Sequence, residues 1–418
     1  MSHLHKRFTI EQVILLLTSY IKGRMKRGEV EEELGVGKTR LFALLKKYRK
    51  DPATFTLAYT RTSKKRLSQK VERAITDGLL LEQSLIKNSE LPISSYNYSA
   101  LADRLKEKQN IVVSVPTIIK RAKLLGCHFG KRRKALHDRE VITQSIGQLI
   151  QHDSSNHLWS PYAKKKWILI TSLDDFSRKL LYADFVESET TWAHIQASES
   201  LILKYGTPLR YYVDQLRVFR FVKNRDSIWK KQILQTDDAD PQWKQVMISC
   251  GVEVIYALSP QAKGKIERPY RWLQDRIVRT CVLEHITTIE QARLVLQREV
   301  TRYNDHCVHS TTKEIPSLRF QNAIHEGNTL FRPFALPKPL ITLRDVFCLR
   351  EERMVNAYHK VSLHGIDVEV PHVPLREFVS ICIIPDKKRD LIEFRFWWNK
   401  KLVHTVVLSK TLFPMVHF

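Results

Sequence analysis

The spacing of apolar and polar positions changes character along this chain, and the changes divide it. Near the start, Thr9 is placed to cap a helix, and Glu11-Gln-Val-Ile-Leu-Leu-Leu17 follows with apolar residues at helical spacing. The run EVEEELGVGKTRLFALLKKYRK (29–50) predicts one helix ending at Gly35, a tight turn through Val36-Gly37, and a second helix with Leu41, Leu44, Leu45 and Tyr48 on one face. A glycine-containing turn between two short helices is how helix-turn-helix units are built, with the second helix entering the major groove of DNA. Lys38, Thr39 and Arg40 open that second helix and would face DNA; a plain helical hairpin with solvated lysines gives the same pattern.

Asp51-Pro52 and the threonine-rich stretch to Arg61 read as a linker. A second helical unit centres on NYSALADRLKEKQNIVVSVPTIIKRAKLLG (97–126). Ser99 begins one helix, Asn110 to Val115 makes an extended break, and Ser114 caps another that opens with Pro116, where the missing N–H costs nothing. Thr117, Lys120 and Arg121 lie on it, and the basic run Lys131-Arg132-Arg133-Lys134 follows, suited to phosphate contact. This segment reads as a second helix-turn-helix, with room for a wing.

From about residue 148 the period shortens to that of strands. Lys166–Leu173 and Lys179–Val186 flank the turn-forming Asp174-Asp175-Phe176-Ser177 and predict a hairpin. Thr190 to Tyr205 reads as a helix, Arg210–Val213 and Gly251–Ala257 as short strands, and Ile266 to Leu283 as a helix. That order describes an α/β domain with a mixed sheet. Residues 222–245, with Trp229 and Trp243, look like an insertion, and 327–340, with Pro333, Pro337 and Pro339, like a second linker. After Arg353, HKVSLHGIDVEV, FVSICII, LIEFRFWW and LVHTVVL alternate with turns and suggest a small β-barrel. The expected division is therefore helical units at 1–52 and 62–140, an α/β core at 145–326 and a β-barrel at 341–418.

Composition sharpens the functional class. The 418 residues carry a net charge of +25. Of this, +16 falls within residues 1–150, which hold 30 basic and 14 acidic side chains. Such charge calls for a polyanion, and nucleic acid is the default partner. No run approaches the roughly 18 consecutive apolar residues of a membrane span, and the start lacks the apolar core of a signal peptide. The six scattered cysteines fit reduced thiols in a cytoplasmic protein. His306-Cys307-x-His309 lacks the second ligand pair of a zinc finger.

Three carboxylates stand where sheet or helix edges should present them: Asp153 at the end of an apolar run, Asp214 at the exit of a short strand, and Glu267 in a polar loop running into a helix. Such a set can hold two Mg²⁺ ions about 3.5–4 Å apart, one activating the attacking hydroxyl and the other stabilising the leaving 3′-oxygen. Asp174 and Asp175 form an equally conspicuous pair for the first position, although a turn explains them too. Arg271 and Gln274 share the helical face of Glu267, and Lys263 and Lys265 precede it, so that basic groups could hold phosphates there. Arg271 could equally pair with Glu267 or Asp275 along the helix.

The segment SPQAKGKIERPYRWLQDRIV (259–278) closely resembles the final motif of bacterial insertion-sequence DDE transposases with a retroviral-integrase-like catalytic core. QHDSSNHLWSP (151–161), LDDFSRKLLYADFVESETT (173–191) and YYVDQLRVFRF (211–221) resemble the preceding motifs in order, and Tyr303-Asn304…His309-Ser310…Pro316 a following one. The glycine often found after the second Asp is absent, since Gln215 follows Asp214. The resemblance implies an RNase H-like core, the triad Asp153, Asp214 and Glu267, and Mg²⁺ with Mn²⁺ as substitute. It also implies a homo-oligomer acting on double-stranded DNA, both element ends and target, in a prokaryotic nucleoid. A domesticated DNA-binding regulator and a metal-dependent nuclease are the alternatives on the same fold.

Overall fold

The computed structural model describes residues 4, 7–57, 67–128, 142–214, 242–257 and 264–413, with 264–268 described by backbone alone. The chain divides into two compact units, Met1–Arg73 and Ala74–Phe418.

In the first unit, Thr9 caps α1 (Ile10–Ile21) through a reciprocal pair with Gln12. Then α2 (Arg27–Leu34) ends at Gly35, whose φ of 60° suits glycine, and α3 (Lys38–Lys50) follows. Val13, Leu17, Val30, Leu34, Leu41, Leu44 and Leu45 close a common core. The chain does not leave this unit at Asp51: its carboxylate accepts from the backbone N–H groups of Ala53 and Thr54, and Phe55 returns to the core edge-on to Tyr48.

The second unit opens within α4 (Gln69–Lys87) and continues with α5 (Tyr98–Gln109) and α6 (Val115–Leu124). The helix α5 begins at Tyr98, one residue before Ser99, and Asn97 caps it, accepting from Ala100 N–H at 2.9 Å. Lys131, Arg132 and Arg133, with the expected wing, lie outside the described residues.

The central sheet comprises β1 (Ile150–His157), β2 (Trp167–Asp174), β3 (Leu180–Val186), β4 (Arg210–Val213) and β5 (Glu253–Tyr256), in the order β3-β2-β1-β4-β5. β2 pairs antiparallel with both β1 and β3, while β4 runs parallel to β1 and to β5. Parallel neighbours need crossovers. The first is α7 (Thr191–Tyr205); α8 (Gln242–Ser249) precedes β5. Trp192, Ile195, Trp243 and Met247 from these helices join Ile150, Tyr211 and Val213 on one face. On the other, α9 (Gly264–Leu283) and α10 (Ile289–Asp305) bring Tyr270, Leu273, Ile277 and Leu296 onto Trp167, Leu169, Leu173 and Phe185. Trp243 thus belongs to the core and not to an insertion; residues 222–241, with Trp229, lie outside the described residues.

Residues 327–340, expected as a linker, are fastened to the core after α11 (Pro316–His325). Thr329 bridges Ile146, Arg332 bridges Thr207, and Phe331 packs on the α7 side. Beyond α12 (Leu343–Val346) lie β6 (Leu349–Met354), β7 (Lys360–Leu363), β8 (Ile366–Glu369), β9 (Phe378–Asp386), β10 (Leu391–Trp398) and β11 (Lys401–Ser409). They do not close into the expected barrel. Among the described residues β11-β10-β9-β6 form an open antiparallel sheet and β7-β8 a separate hairpin, joined by apolar side chains such as Val361, Leu363, Val379, Phe394 and Phe396 rather than by a continuous backbone ladder. Among the described residues no helix is long and apolar enough to cross a membrane.

Candidate active site

Asp153 is the fourth residue of β1 and lies inside the strand, not at its end. It pairs across β2 with Thr171. The polar half Ser154-Ser155-Asn156-His157 carries the strand onward by pairing with Ile170, Leu169, Ile168 and Trp167. Alternation turns His152 towards α7 and α8, where it meets His194 and Trp243, and Asp153 towards the opposite face.

Asp214 follows β4 directly. In the parallel register Ile150 stands beside Tyr211 and Gln151 beside Tyr212, so the next two steps bring Asp214 level with Asp153. Adjacent strands lie roughly 4.8 Å apart, and residues at one level share a face. The two carboxylates therefore stand side by side.

Above them lies α9. Thr171 donates to the Tyr270 hydroxyl at 2.8 Å, and Gln274 donates to Ser155 Oγ at 3.1 Å. These contacts align the helix along β1, with Tyr270 over the Asp153 level and Gln274 two residues on. The Tyr270 phenol is held well above its ordinary pKa, first by burial and then by the negative charges of Asp153, Glu189 and Asp214. Negative charge therefore surrounds this buried hydroxyl, and a divalent cation with oxygen ligands would offset it. Glu267 is in the first turn of α9, one turn before Tyr270 and Arg271, and its side chain lies outside the described residues. Among the described residues no three acidic, His or Cys side chains are close enough to hold a metal.

Asp174 and Asp175 do something else. Asp174 accepts from Ser177 N–H and Oγ–H at 2.8 and 2.6 Å and from Gly147 N–H at 2.9 Å. Asp175 binds Arg178, Gln151 and Thr143 at 2.7–2.8 Å. Both are wholly buried and close the β2–β3 turn.

Of the basic positions, Lys38, Thr39 and Arg40 are exposed on the first turn of α3. On α6, Ile118 and Ala122 face inward, Lys120 is exposed, and Thr117 and Arg121 are half-buried. Arg271 is exposed beside Tyr270. Asp275, which the sequence offers as its partner, is bonded to Arg279 and Asn97. Lys263 and the side chain of Lys265 lie outside the described residues.

Glu189 escaped the sequence reading because Glu187-Ser-Glu189-Thr looks like an ordinary lead-in to a helix capped by Thr190. His152 and His194 escaped it because each stands alone in its own element. No local signal marks any of the three; only the fold brings them together.

No family model matches the chain. Among curated proteins it is 29% identical over 257 residues to y4bF of Sinorhizobium fredii, a transposase by name, covering 61% of this chain and 51% of that one. It is 28% identical over 178 residues to the transposase for insertion sequence IS1202 of Streptococcus pneumoniae, covering 43% of this chain and 37% of that one. The chain thus matches about half of the first relative's length and less of the second's. Two solved structures overlap at low similarity. A chain of the simian T-cell lymphotropic virus intasome in complex with PP2A regulatory subunit B56 gamma has a TM-score of 0.33 and 13% identity, over 79% of this chain and 98% of that one. The HTLV-2 integrase catalytic core domain in complex with magnesium has a TM-score of 0.29 and 16% identity, over 40% of this chain and 92% of that one.

Proposed function

We propose, from the likeness to insertion-sequence transposases and from the paired carboxylates on β1 and β4, that this protein is a DNA strand transferase that cuts element ends and joins them to target DNA. The observation that carries the reading is the register that sets Asp214 level with Asp153 beneath Tyr270. The sheet order β3-β2-β1-β4-β5, antiparallel then parallel, supports an RNase H-like core.

In this reading Asp153, Asp214 and Glu267 supply hard oxygen ligands for two Mg²⁺ ions, or Mn²⁺ in their place. Bound ions would lower the pKa of the attacking hydroxyl and stabilise charge on the leaving oxygen. The chain's own part is positional. Asp153 projects from a hydrogen-bonded strand and Asp214 from the residue directly after one, so they need little rearrangement to meet a phosphodiester. Tyr270 and Gln274 hold α9 over β1, which sets the height of Glu267 above the sheet, and Arg271 offers a cation to the scissile strand.

Two in-line displacements follow at one site. A water oxygen first replaces the 3′-oxygen on phosphorus; the freed 3′-hydroxyl then attacks a target phosphodiester and expels another 3′-oxygen. No covalent bond to the protein is formed. The helical segments at 1–52 and 62–140 read the element ends as helix-turn-helix units, through Lys38, Thr39 and Arg40 and through Thr117, Lys120 and Arg121, with Lys131, Arg132 and Arg133 on phosphates. Joining two ends calls for a homo-oligomer on double-stranded DNA in the cytoplasm, at the nucleoid.

The test is strand transfer by the full chain with Mg²⁺ on labelled duplexes copied from the DNA flanking its gene. Asp153→Asn should reduce cleavage and joining by at least about 10³-fold while leaving duplex binding intact, since it removes a metal ligand and not a DNA anchor. Joining at the wild-type rate would refute the site; cleavage without joining would favour a nuclease.

A further inference from the structure

Behind Asp153, on the α7 side of the sheet, lies a closed set of hydrogen bonds. Ser172 on β2 meets His152 Nδ1 at 2.8 Å, His152 Nε2 meets His194 Nδ1 at 2.9 Å, and His194 Nε2 meets Glu189 Oε1 at 3.1 Å. Ser154 donates to the same Glu189 oxygen at 2.6 Å. Both histidines are wholly buried, with Trp243 stacked on His152 at 5.7 Å.

The partners assign the protons. With Ser172 donating to His152, His152 Nε2–H to His194 Nδ1, and His194 Nε2–H to the Glu189 carboxylate, every ring nitrogen has a partner. His152 and Ser154 are the two neighbours of Asp153 in sequence. The chain His152–His194–Glu189–Ser154 therefore closes a ring through the backbone of Asp153 itself. Both flanking residues are pulled towards α7 while Asp153 projects the other way.

We propose that His194 and Glu189 are positioning residues: they clamp β1 on either side of Asp153 and so fix its carboxylate for the divalent cation. The inference rests on the reading of Asp153 as a metal ligand. Groups that hold a ligand from behind typically raise metal affinity roughly 10–100-fold. A second role for Glu189, as a ligand in its own right, makes a different prediction. In Glu189→Gln the amide oxygen still accepts from both His194 and Ser154, which keeps the clamp but removes the charge.

The experiment titrates the full-length protein, without DNA, with Mn²⁺ and reads free Mn²⁺ by electron paramagnetic resonance, after thermal melting confirms that each variant is folded. Glu189→Ala, at a partly exposed side chain, and His194→Ala should each weaken Mn²⁺ binding about tenfold or more. Glu189→Gln should bind nearly as wild type, and His194→Gln, whose amide N–H can reach where Nε2–H stood, should recover part of the loss. Folded Glu189→Ala and His194→Ala with wild-type affinity would overturn the clamp. Loss in Glu189→Gln equal to that in Glu189→Ala would overturn it in favour of direct ligation. Asp153→Asn is the control: if it too binds Mn²⁺ as wild type, the metal-site reading fails, whereas its loss beside unaffected clamp variants sinks the clamp alone.

Discussion

Asp174 has no surface exposed to water, and three donors converge on it. Burial nevertheless outweighs them and pushes its carboxyl from 3.8 up to about 6. Between those values the folded chain holds a proton that the unfolded chain has lost, so this group's contribution to stability falls as pH rises through the window. The change is on the order of 3 kcal/mol. Asp174→Asn should therefore lose stability more steeply than wild type on acidification from about pH 6.5 to pH 4.5, measured by urea unfolding. It should also be weaker throughout, since an amide offers one acceptor to three donors. Equal slopes would refute the assignment. The sequence already pointed to a turn-closing role for Asp174 and Asp175 through the Asp-Asp-x-Ser cluster, because such hydrogen bonds are local. The sequence grouped Asp153 with Asp214 through their strand-edge positions and the motifs around them; their standing at one level is a property of register. Glu189, His152 and His194 left no trace, since three elements contribute one residue each.

At the scale of elements, Gly147 and the segment after α11 depend on one another. Gly147 has a φ of 72°, and a Cβ placed there would come within 2.7 Å of the backbone nitrogen of Phe331. The segment passes so close because Ile146 and Leu330 share a backbone hydrogen bond at 2.8 Å. Gly147→Ala meets both a strained backbone and a clash with main chain, and should cost more than about 1 kcal/mol, read as a lower unfolding midpoint. An unchanged midpoint would show that the segment is not held. Its three prolines made it look like a linker, and proline content cannot distinguish a free connector from one bound by isolated bridges. The β2–β3 hairpin was legible because its apolar runs and turn residues are local. The outer half of β1 was not: Ser154 to His157 is polar, and pairing with the apolar β2 makes it a strand. The small β-elements at the end were legible as strands, but whether strands close into a barrel is decided between edges far apart in sequence.

At the scale of the second unit, α4 and α5 are tied to α9 and α10 by buried charge. Glu82 is 1% exposed and binds Arg279, with Arg104 at 3.5 Å; Arg276 reaches Asp103 at 2.7 Å and Glu299 at 3.6 Å. Burial raises the pKa of Glu82 despite both arginines. Removing one partner from such a set strands the others, so Glu82→Ala should destabilise by about 3–5 kcal/mol in urea unfolding. A loss within about 1 kcal/mol would mean that water already reaches Arg279. Because α6, which carries Thr117, Lys120 and Arg121, packs on α5, the network also holds it in the same body as α9, whose first turn contains Glu267. It has a consequence for synthesis. Glu82 and Arg279 are separated by 197 positions, which a ribosome crosses in about 10–40 s at roughly 5–20 residues per second. For that interval Glu82 and Asp103 lack the arginines of α9, so the order of translation leaves α4 and α5 waiting for α9 before they can settle.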